Sequence, residues 1–240
     1  MFEDLTGFRH EHKYIEPEIN LTAVEKRLGA VMKKDPHLAD STGYTVRSLY
    51  FDDYDSKYLY ENINGVDERE KWRIRIYNGS SSHISLERKI RKMDLIKKQH
   101  CDIDTDTFKQ IMDRTIAVAQ DNHPVLNMFI KEMKMHLLHP AVIVEYDRMP
   151  FICPEGNVRV TIDRNIRSSA DIDAFLEEKL PSFRSVLPKG QNLIEVKFDA
   201  FLPDYIRHTI EHGRMRRETF SKYYLTRKFP YDGIRSVHYQ

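Results

Sequence analysis

One segment limits what this chain can fold into more than any other: Arg69, Lys71, Arg73 and Arg75 occupy alternate positions, with Trp72, Ile74 and Ile76 falling on the other parity. Successive side chains of a β-strand point to opposite faces. As a strand, the segment therefore puts four cations on one side and an apolar set on the other, whereas a helix would scatter both sets around its axis. The apolar face requires a core, and the basic face requires water or a polyanion.

The same parity recurs along the chain. Glu11-His12-Lys13, Glu87-Arg88-Lys89 and Glu195-Val196-Lys197 are Glu-x-Lys units inside strand-like segments. Arg159, Thr161 and Asp163 share a side opposite Val158, Val160 and Ile162, and Tyr146 shares a face with Arg148. β-Branched and aromatic residues in period-two alternation predict eight strands, at 8–15, 44–52, 66–77, 82–91, 95–103, 140–152, 157–163 and 193–199. Turn signals at Asn78-Gly79, at 92–94 and at 154–157 predict three hairpins and antiparallel pairing. Leu21, Val24, Leu28 and Val31 after Pro17 predict an amphipathic helix. Further helices are expected from Thr105, as a cap, to about Ala119, and over 124–138, 171–179, 203–212 and 221–229.

Two arrangements accommodate these strands. In one, an antiparallel sheet turns its charged face to solvent and packs its other face on helices. In the other, the sheet closes into a barrel with apolar residues outside, helices over them, and the charges gathered in a lumen. Hydrophobic residues make up 40% of the 240 and charged residues 31%, enough for a core but with much charge left to place. Neither a linker-like segment nor a repeat interrupts the pattern, so one domain over residues 1–240 is expected.

Charge balance narrows the partners. Lys plus Arg total 38 against 37 Asp plus Glu, a net charge of +1, so no whole-molecule field draws the chain to DNA or to an anionic membrane. Any anion site must be built by local clustering. Tyr50, Tyr77 and Tyr146 could act as stacking platforms for RNA, but tyrosines are enriched in strands anyway, and no nucleic-acid partner is expected. Cys101 and Cys153, the only two cysteines, suit buried thiols in a reducing compartment. Glu3 and Asp4 near the start, without an apolar stretch, argue against a secretory signal, and no run approaches the ~18 apolar residues of a membrane span. A cytoplasmic protein is the expectation.

A lumen crowded with arginine and lysine is tolerable only around a polyanion. Arginine forks match phosphate oxygens in pairs, and lysines such as Lys13, Lys89 and Lys197 act as point charges. Glu11, Glu87 and Glu195 supply oxygen ligands of the kind Mg²⁺ or Mn²⁺ takes, or they neutralise the lysines beside them. There is no Gly-x-x-x-x-Gly-Lys loop, no dinucleotide glycine fingerprint and no Cys/His zinc spacing. His10 and His12 fall on the face opposite Glu11, which argues against a transition-metal site there.

With these residues in view, the chain resembles the VTC domain, the polyphosphate polymerase branch of the triphosphate tunnel metalloenzymes. The matching stretches are Arg9-His10-Glu11-His12-Lys13-Tyr14-Ile15, Val46-Arg47-Ser48-Leu49-Tyr50-Phe51-Asp52, residues 69–77, Leu86-Glu87-Arg88-Lys89, residues 145–151, 158–163 and 194–199, and Ser221-Lys222-Tyr223. None is specific alone, but they occur in order over nearly the whole chain. The resemblance implies an α+β fold, an eight-stranded antiparallel β-barrel with helices packed around it. The barrel would hold a nucleoside triphosphate or a growing inorganic polyphosphate with a divalent cation, Mn²⁺ or Mg²⁺.

Carried over by position, Lys13, Arg73, Arg75, Lys89, Arg148 and Arg159 would bind phosphate, as would Lys197, and Tyr146 would line the site. Glu195 would hold the metal, with Glu11 and Glu87 as further candidates. Ser221 and Lys222 would act at the tunnel mouth, and together with Arg73 and Arg75 they are the expected catalytic set. Of Lys97 and Lys98 only one can face inward in a regular strand, and the family's register favours Lys97. Many tunnel enzymes open with Glu-x-Glu-x-Lys, whereas Arg9 stands at the first glutamate position here, so hydrolases with the double glutamate fit less well. The implied activity is transfer of the γ-phosphoryl of ATP to a phosphate acceptor. A triphosphatase, and a non-catalytic module binding polyphosphate or inositol polyphosphate, are the alternatives.

Overall fold

Period-two alternation gives each strand an apolar and a polar face, and closing the strands into a barrel with the apolar face outward gathers the polar face in the lumen. A computed structural model describes residues 5–36, 38, 43–211, 215–219 and 221–228. In chain order the elements are β1 (Arg9–Pro17), α1 (Glu18–Val31), β2 (Lys33–Lys34), β3 (Tyr44–Asp52), α2 (Lys57–Ile63), β4 (Arg69–Tyr77), β5 (Ser80–Lys92) and β6 (Leu95–Ile103). They continue as α3 (Thr105–Met112), α4 (Pro124–Met135), β7 (His139–Cys153), β8 (Val158–Ser169), β9 (Arg184–Ser185), β10 (Gln191–Phe198), α5 (Asp204–Ile210) and α6 (Lys222–Lys228). The strands pair in the order β7-β3-β4-β5-β6-β1-β10-β8, and β8 returns to β7. Every one of these pairings is antiparallel, so eight strands form a closed barrel. β2 and β9 are two-residue additions on β7 and β8.

The hydrophobic core lies outside the barrel wall. Leu49, Phe51, Trp72 and Ile74 pack with Phe129 and Ile130 of α4, and the Phe129 ring stands 5.2 Å from Trp72 and 5.0 Å from Phe51. On the opposite wall, Val160, Ile162, Ile194 and Val196 meet Leu21, Val24 and Leu28 of α1 and Ile206 and Ile210 of α5. Each such side chain contributes ~1.5–3 kcal/mol on burial, so the apolar parity holds the helices on the wall and leaves the other parity to the lumen. The β4–β5 hairpin turns through Asn78 (φ 53°) and Gly79 (φ 64°), the two left-handed residues of a tight hairpin turn. A Cβ on Gly79 would also stand 2.7 Å from the Glu178 carbonyl oxygen.

Several boundaries differ from the sequence expectation. Asp104, not Thr105, caps α3 by accepting from the Thr107 amide. That helix stops at Met112, because Arg114 turns into the left-handed region (φ 58°). The helix expected over 171–179 is one short 3₁₀ segment, Ile172–Leu176. β8 runs six residues past the expected end, because Arg167, Ser168 and Ser169 keep pairing with β7. α2 was not expected. Its single buried residue is Tyr58, and it is held by Asp52, whose carboxylate accepts from the Tyr58 and Leu59 amides. His212 and Phe229, the expected ends of two helices, and the acidic residues Glu3 and Asp4 lie outside the described residues. No helix among the described residues is long and apolar enough to cross a membrane.

Candidate functional site

The inward parity of the barrel lines one cavity of about 100 Å³. A polar space of that size has room for several waters, so it is a ligand or solvent space and not a packed interior. Its walls bring together Glu11 and Lys13 from β1, Tyr50 from β3, Arg69, Lys71, Arg73 and Arg75 from β4, Lys89 and Arg91 from β5, and Ile96 from β6. Tyr146 and Arg148 come from β7 and Glu195 and Lys197 from β10, while Asn62, at the end of α2, and Ser221 with Lys222, at the start of α6, close over it. Eleven of the residues expected from the sequence thus meet in one space: Glu11, Lys13, Arg73, Arg75, Lys89, Tyr146, Arg148, Glu195, Lys197, Ser221 and Lys222.

Two buried carboxylates aim the cations. Glu87 on β5 accepts from Arg73 Nε at 2.7 Å and from Lys98 at 3.1 Å, with Arg75 Nη1 at 3.5 Å. Burial alone would raise its carboxyl, but Arg75, Arg73 and Lys98 hold it well below the usual carboxylate range. Its oxygens accept from guanidinium and ammonium groups, as those of Glu11 do from an ammonium group, and from behind the cavity wall it acts as a counter-ion to Arg73, Arg75 and Lys98. Asp163 on β8 takes both arms of Arg148 at 2.7 Å and Lys222 Nζ at 2.7 Å. Lys222 also stands 4.5 Å from the Tyr146 ring centre, and Arg148 stands 5.0 Å from it. Arg73 donates to the Tyr50 hydroxyl at 3.0 Å. These contacts fix the directions of the basic groups before any ligand arrives.

A second cluster spans β1, β5 and β10. Lys89 donates to both oxygens of Glu11 at 2.9 and 2.8 Å. Lys197 is 2.6 Å from Glu195 and 3.7 Å from Glu11, and Lys13 is 3.4 Å from Glu11 and 3.9 Å from Glu195. Burial and the neighbouring Glu195 both act to raise the Glu11 carboxyl, but Lys13, Lys89 and Lys197 bring it down to about 2. Glu195 likewise lies well below its ordinary value despite burial, chiefly through Lys197 and Lys222. Burial lowers Lys89 to about 7, with Lys13 and Lys197 adding to the shift and Glu11 and Glu195 opposing it.

Glu11 and Glu195 are therefore two ionised hard-oxygen donors on the wall, a pair that suits Mg²⁺ or Mn²⁺. Among the described residues no group of three or more metal-ligating side chains converges.

Some expectations are corrected. Lys98, not Lys97, faces the lumen: Lys98 lies opposite Lys89 across the β5–β6 ladder and reaches Glu87. Directly opposed residues share a face, so Lys97 is turned away, onto the Thr6 carbonyl at 2.9 Å and over the Phe8 ring. Arg159 is not on the cavity wall; it bonds the Tyr44 hydroxyl at 3.0 Å and pairs with Asp35 at 3.2 Å. His10 and His12, expected on the face opposite Glu11, both pack on Phe198, His10 stacked on it at 4.9 Å and His12 edge-on at 5.0 Å. Arg9 ties to Asp199 at 2.7 Å. Cys101 and Cys153 are both buried free thiols.

Sequence reasoning passed over Lys71 and Arg69 as site residues, although both sit on the basic parity of β4, and over Asp163 as a counter-ion. It had no means of finding Asn62, whose approach depends on α2.

A family model described as the VTC domain matches residues 8–230. No curated protein matches the sequence. Among solved structures the chain is similar to the PH1819 protein of Pyrococcus horikoshii OT3, at 15% identity and a TM-score of 0.49, over 92% of this chain and 98% of that one. It is also similar to a candidate adenylate cyclase from Bacillus halodurans, at 11% identity and TM-score 0.47 over 85% and 87% of the two chains. A third similar structure is a candidate adenylate cyclase from Vibrio parahaemolyticus, at 10% identity and TM-score 0.46 over 85% and 82%.

Proposed function

Because the chain belongs to the VTC-domain family, we propose that it is a metal-dependent phosphotransferase that binds ATP or polyphosphate in the basic tunnel and passes the γ-phosphoryl to a phosphate acceptor. One observation carries this reading. The cavity wall holds ten basic side chains, Lys13, Arg69, Lys71, Arg73, Arg75, Lys89, Arg91, Arg148, Lys197 and Lys222, against three acidic ones, Glu11, Glu70 and Glu195. Glu87 and Asp163 behind the wall and Asp94 beside Arg91 pair with some of these cations, and the wall keeps a basic excess. A triphosphate is the class of ligand that offsets such an excess.

Phosphoryl transfer asks a protein for positioning and charge stabilisation more than for a nucleophile. Arg73 and Arg75, aimed by Glu87, and Arg148, aimed by Asp163, present guanidinium forks to the phosphate chain. Lys13 and Lys89 add point charges on the facing wall. Lys222 and Ser221, at the start of α6, would hold the acceptor phosphate in line with the γ-phosphoryl, offsetting repulsion between two anions. Glu195 and Glu11 would hold the Mn²⁺ or Mg²⁺, which supplies further neutralisation of charge on the phosphate oxygens.

The test is to incubate the purified protein with ATP and Mn²⁺ and to resolve the products on a gel. Chains longer than the substrate support the proposal. Phosphate release without chains replaces it with a triphosphatase, and tripolyphosphate binding without turnover replaces it with a binding module.

A further inference from the structure

Five lysines line the tunnel: Lys13, Lys71, Lys89, Lys197 and Lys222. Four of them lie within 4 Å of a carboxylate: Lys13 and Lys89 by Glu11, Lys197 by Glu195, and Lys222 by Asp163. Lys71 has no such contact among the described residues. Its Nζ donates instead to two neutral oxygens, Ser221 Oγ at 2.9 Å and Asn62 Oδ1 at 3.1 Å, and sits 5.4 Å from the Tyr223 ring centre. Three elements, β4, α2 and α6, thus converge on an ammonium with no carboxylate within 4 Å among the described residues.

We propose that Lys71 and Asn62, together with Ser221, form a subsite for the terminal phosphate of an acceptor chain held in the tunnel. The proposal rests on the tunnel reading above and deepens it. While their oxygens accept from Lys71, Ser221 keeps its hydroxyl hydrogen and Asn62 its Nδ2 amide, so ammonium, hydroxyl and carboxamide offer donors from three elements. A terminal phosphate presents three non-bridging oxygens and close to two charges, whereas a phosphate inside a chain presents two oxygens and one charge. The donor set matches the first. Lys71 also needs the greater charge: burial, then Lys89, Lys13 and Arg69, hold its ammonium well below the ordinary lysine value. A dianion beside it supplies the counter-charge that the protein withholds. Recognition of an end, rather than of any polyanion, would let the tunnel register a chain at its terminus, where the next phosphoryl is added or removed.

The experiment compares two ligands by calorimetry: linear tripolyphosphate, which has two terminal phosphates, and cyclic trimetaphosphate, which has none. Lys71→Met keeps the apolar stem and removes the charge; Ser221→Ala removes the hydroxyl that Lys71 holds. Lys71→Met is expected to weaken tripolyphosphate binding at least tenfold while changing trimetaphosphate binding less than threefold, and Ser221→Ala to show the same selectivity at smaller size. Equal weakening toward both anions, or none toward either, overturns the subsite. If Lys71→Met does not fold, Ser221→Ala decides by the same criterion. Wild-type protein that fails to bind tripolyphosphate overturns the proposed function, and this subsite with it. Wild-type binding with indifferent variants overturns the subsite alone.

Discussion

Lys222 Nζ lies 2.7 Å from Oδ2 of Asp163, and the two residues are 59 positions apart. Through this contact a seven-residue helix at the C-terminal side of the chain places its first residue inside a barrel wall built by β8. Tyr223 adds a second anchor, because its hydroxyl donates to the buried Asp52 that also caps α2. Lys222 is thus an interior cation, raised above the ordinary lysine value by Asp163, Tyr146 and Glu195 in spite of its burial.

Lys222→Ala should therefore remove an ammonium from the cavity wall without leaving Asp163 bare, since both arms of Arg148 remain on it. Chain synthesis is expected to fall ~10²-fold, the scale of losing one preorganised donor, with phosphate release from the same ATP stock falling less. Equal loss of both activities would make Lys222 a general triphosphate ligand and remove it from the acceptor site.

Arg73 and Arg75 share Glu87, so substituting them exposes a cost that ligand affinity alone would misreport. Arg73→Ala in the wild-type background should weaken tripolyphosphate binding by ~1.5–3 kcal/mol and also destabilise the fold by up to ~3–5 kcal/mol, because Glu87 loses a buried partner. Adding Glu87→Gln should restore much of the melting temperature and none of the affinity. Restored affinity would show that Arg73 acts only on Glu87.

Glu195→Gln should abolish the dependence of turnover on Mn²⁺. It should equally abolish any Mn²⁺-induced rise in melting temperature measured without nucleotide, a readout independent of activity. Binding of tripolyphosphate in the absence of metal should persist. A mutant whose Mn²⁺ titration overlays the wild type would falsify the ligand assignment.

Acid sensitivity should trace in part to Asp163. Burial works to raise this carboxyl, but Arg148 and Lys222 hold it below its ordinary value. A carboxyl depressed in the folded state contributes stability above the unfolded pKa of ~3.9, and that stability is lost as pH falls through this value toward the folded one. The urea midpoint of the wild type should consequently drop between pH 7 and pH 3.5. Asp163→Asn, though less stable at pH 7, should show a smaller drop. An unchanged slope in the variant would place the acid-sensitive group elsewhere.

How much of this was legible in the sequence follows from what parity can and cannot say. Alternation within one strand fixes which residues share a face, so Arg73 with Arg75, Glu11 with Lys13 and Glu195 with Lys197 were readable, as was the apolar set Trp72, Ile74 and Ile76, each now 0% exposed. The short-range signals at Asn78-Gly79 and Pro17 were readable for the same reason, since each acts within a few residues. Relationships between strands were not. Lys97 and Lys98 differ by one position, and only the register that sets Lys98 against Lys89 decides which enters the lumen. Arg159 has the right parity and still misses the cavity, because its height along the barrel gives it Tyr44 and Asp35 as neighbours.

Asp163 and Lys71 show the same division from the side of charge. The sequence placed Asp163 on a polar face and Lys71 on a basic one, yet neither residue's role follows from that. Asp163 became a counter-ion because β7 and α6 arrive beside it, and Lys71, which has no carboxylate within 4 Å among the described residues, bonds neutral oxygens that α2 and α6 bring to it. Side-chain parity is a property of local backbone geometry and is written in the chain. Pairing of charges depends on strand register and helix docking, which are settled by burial summed over the whole barrel wall, and only the tertiary structure decides them.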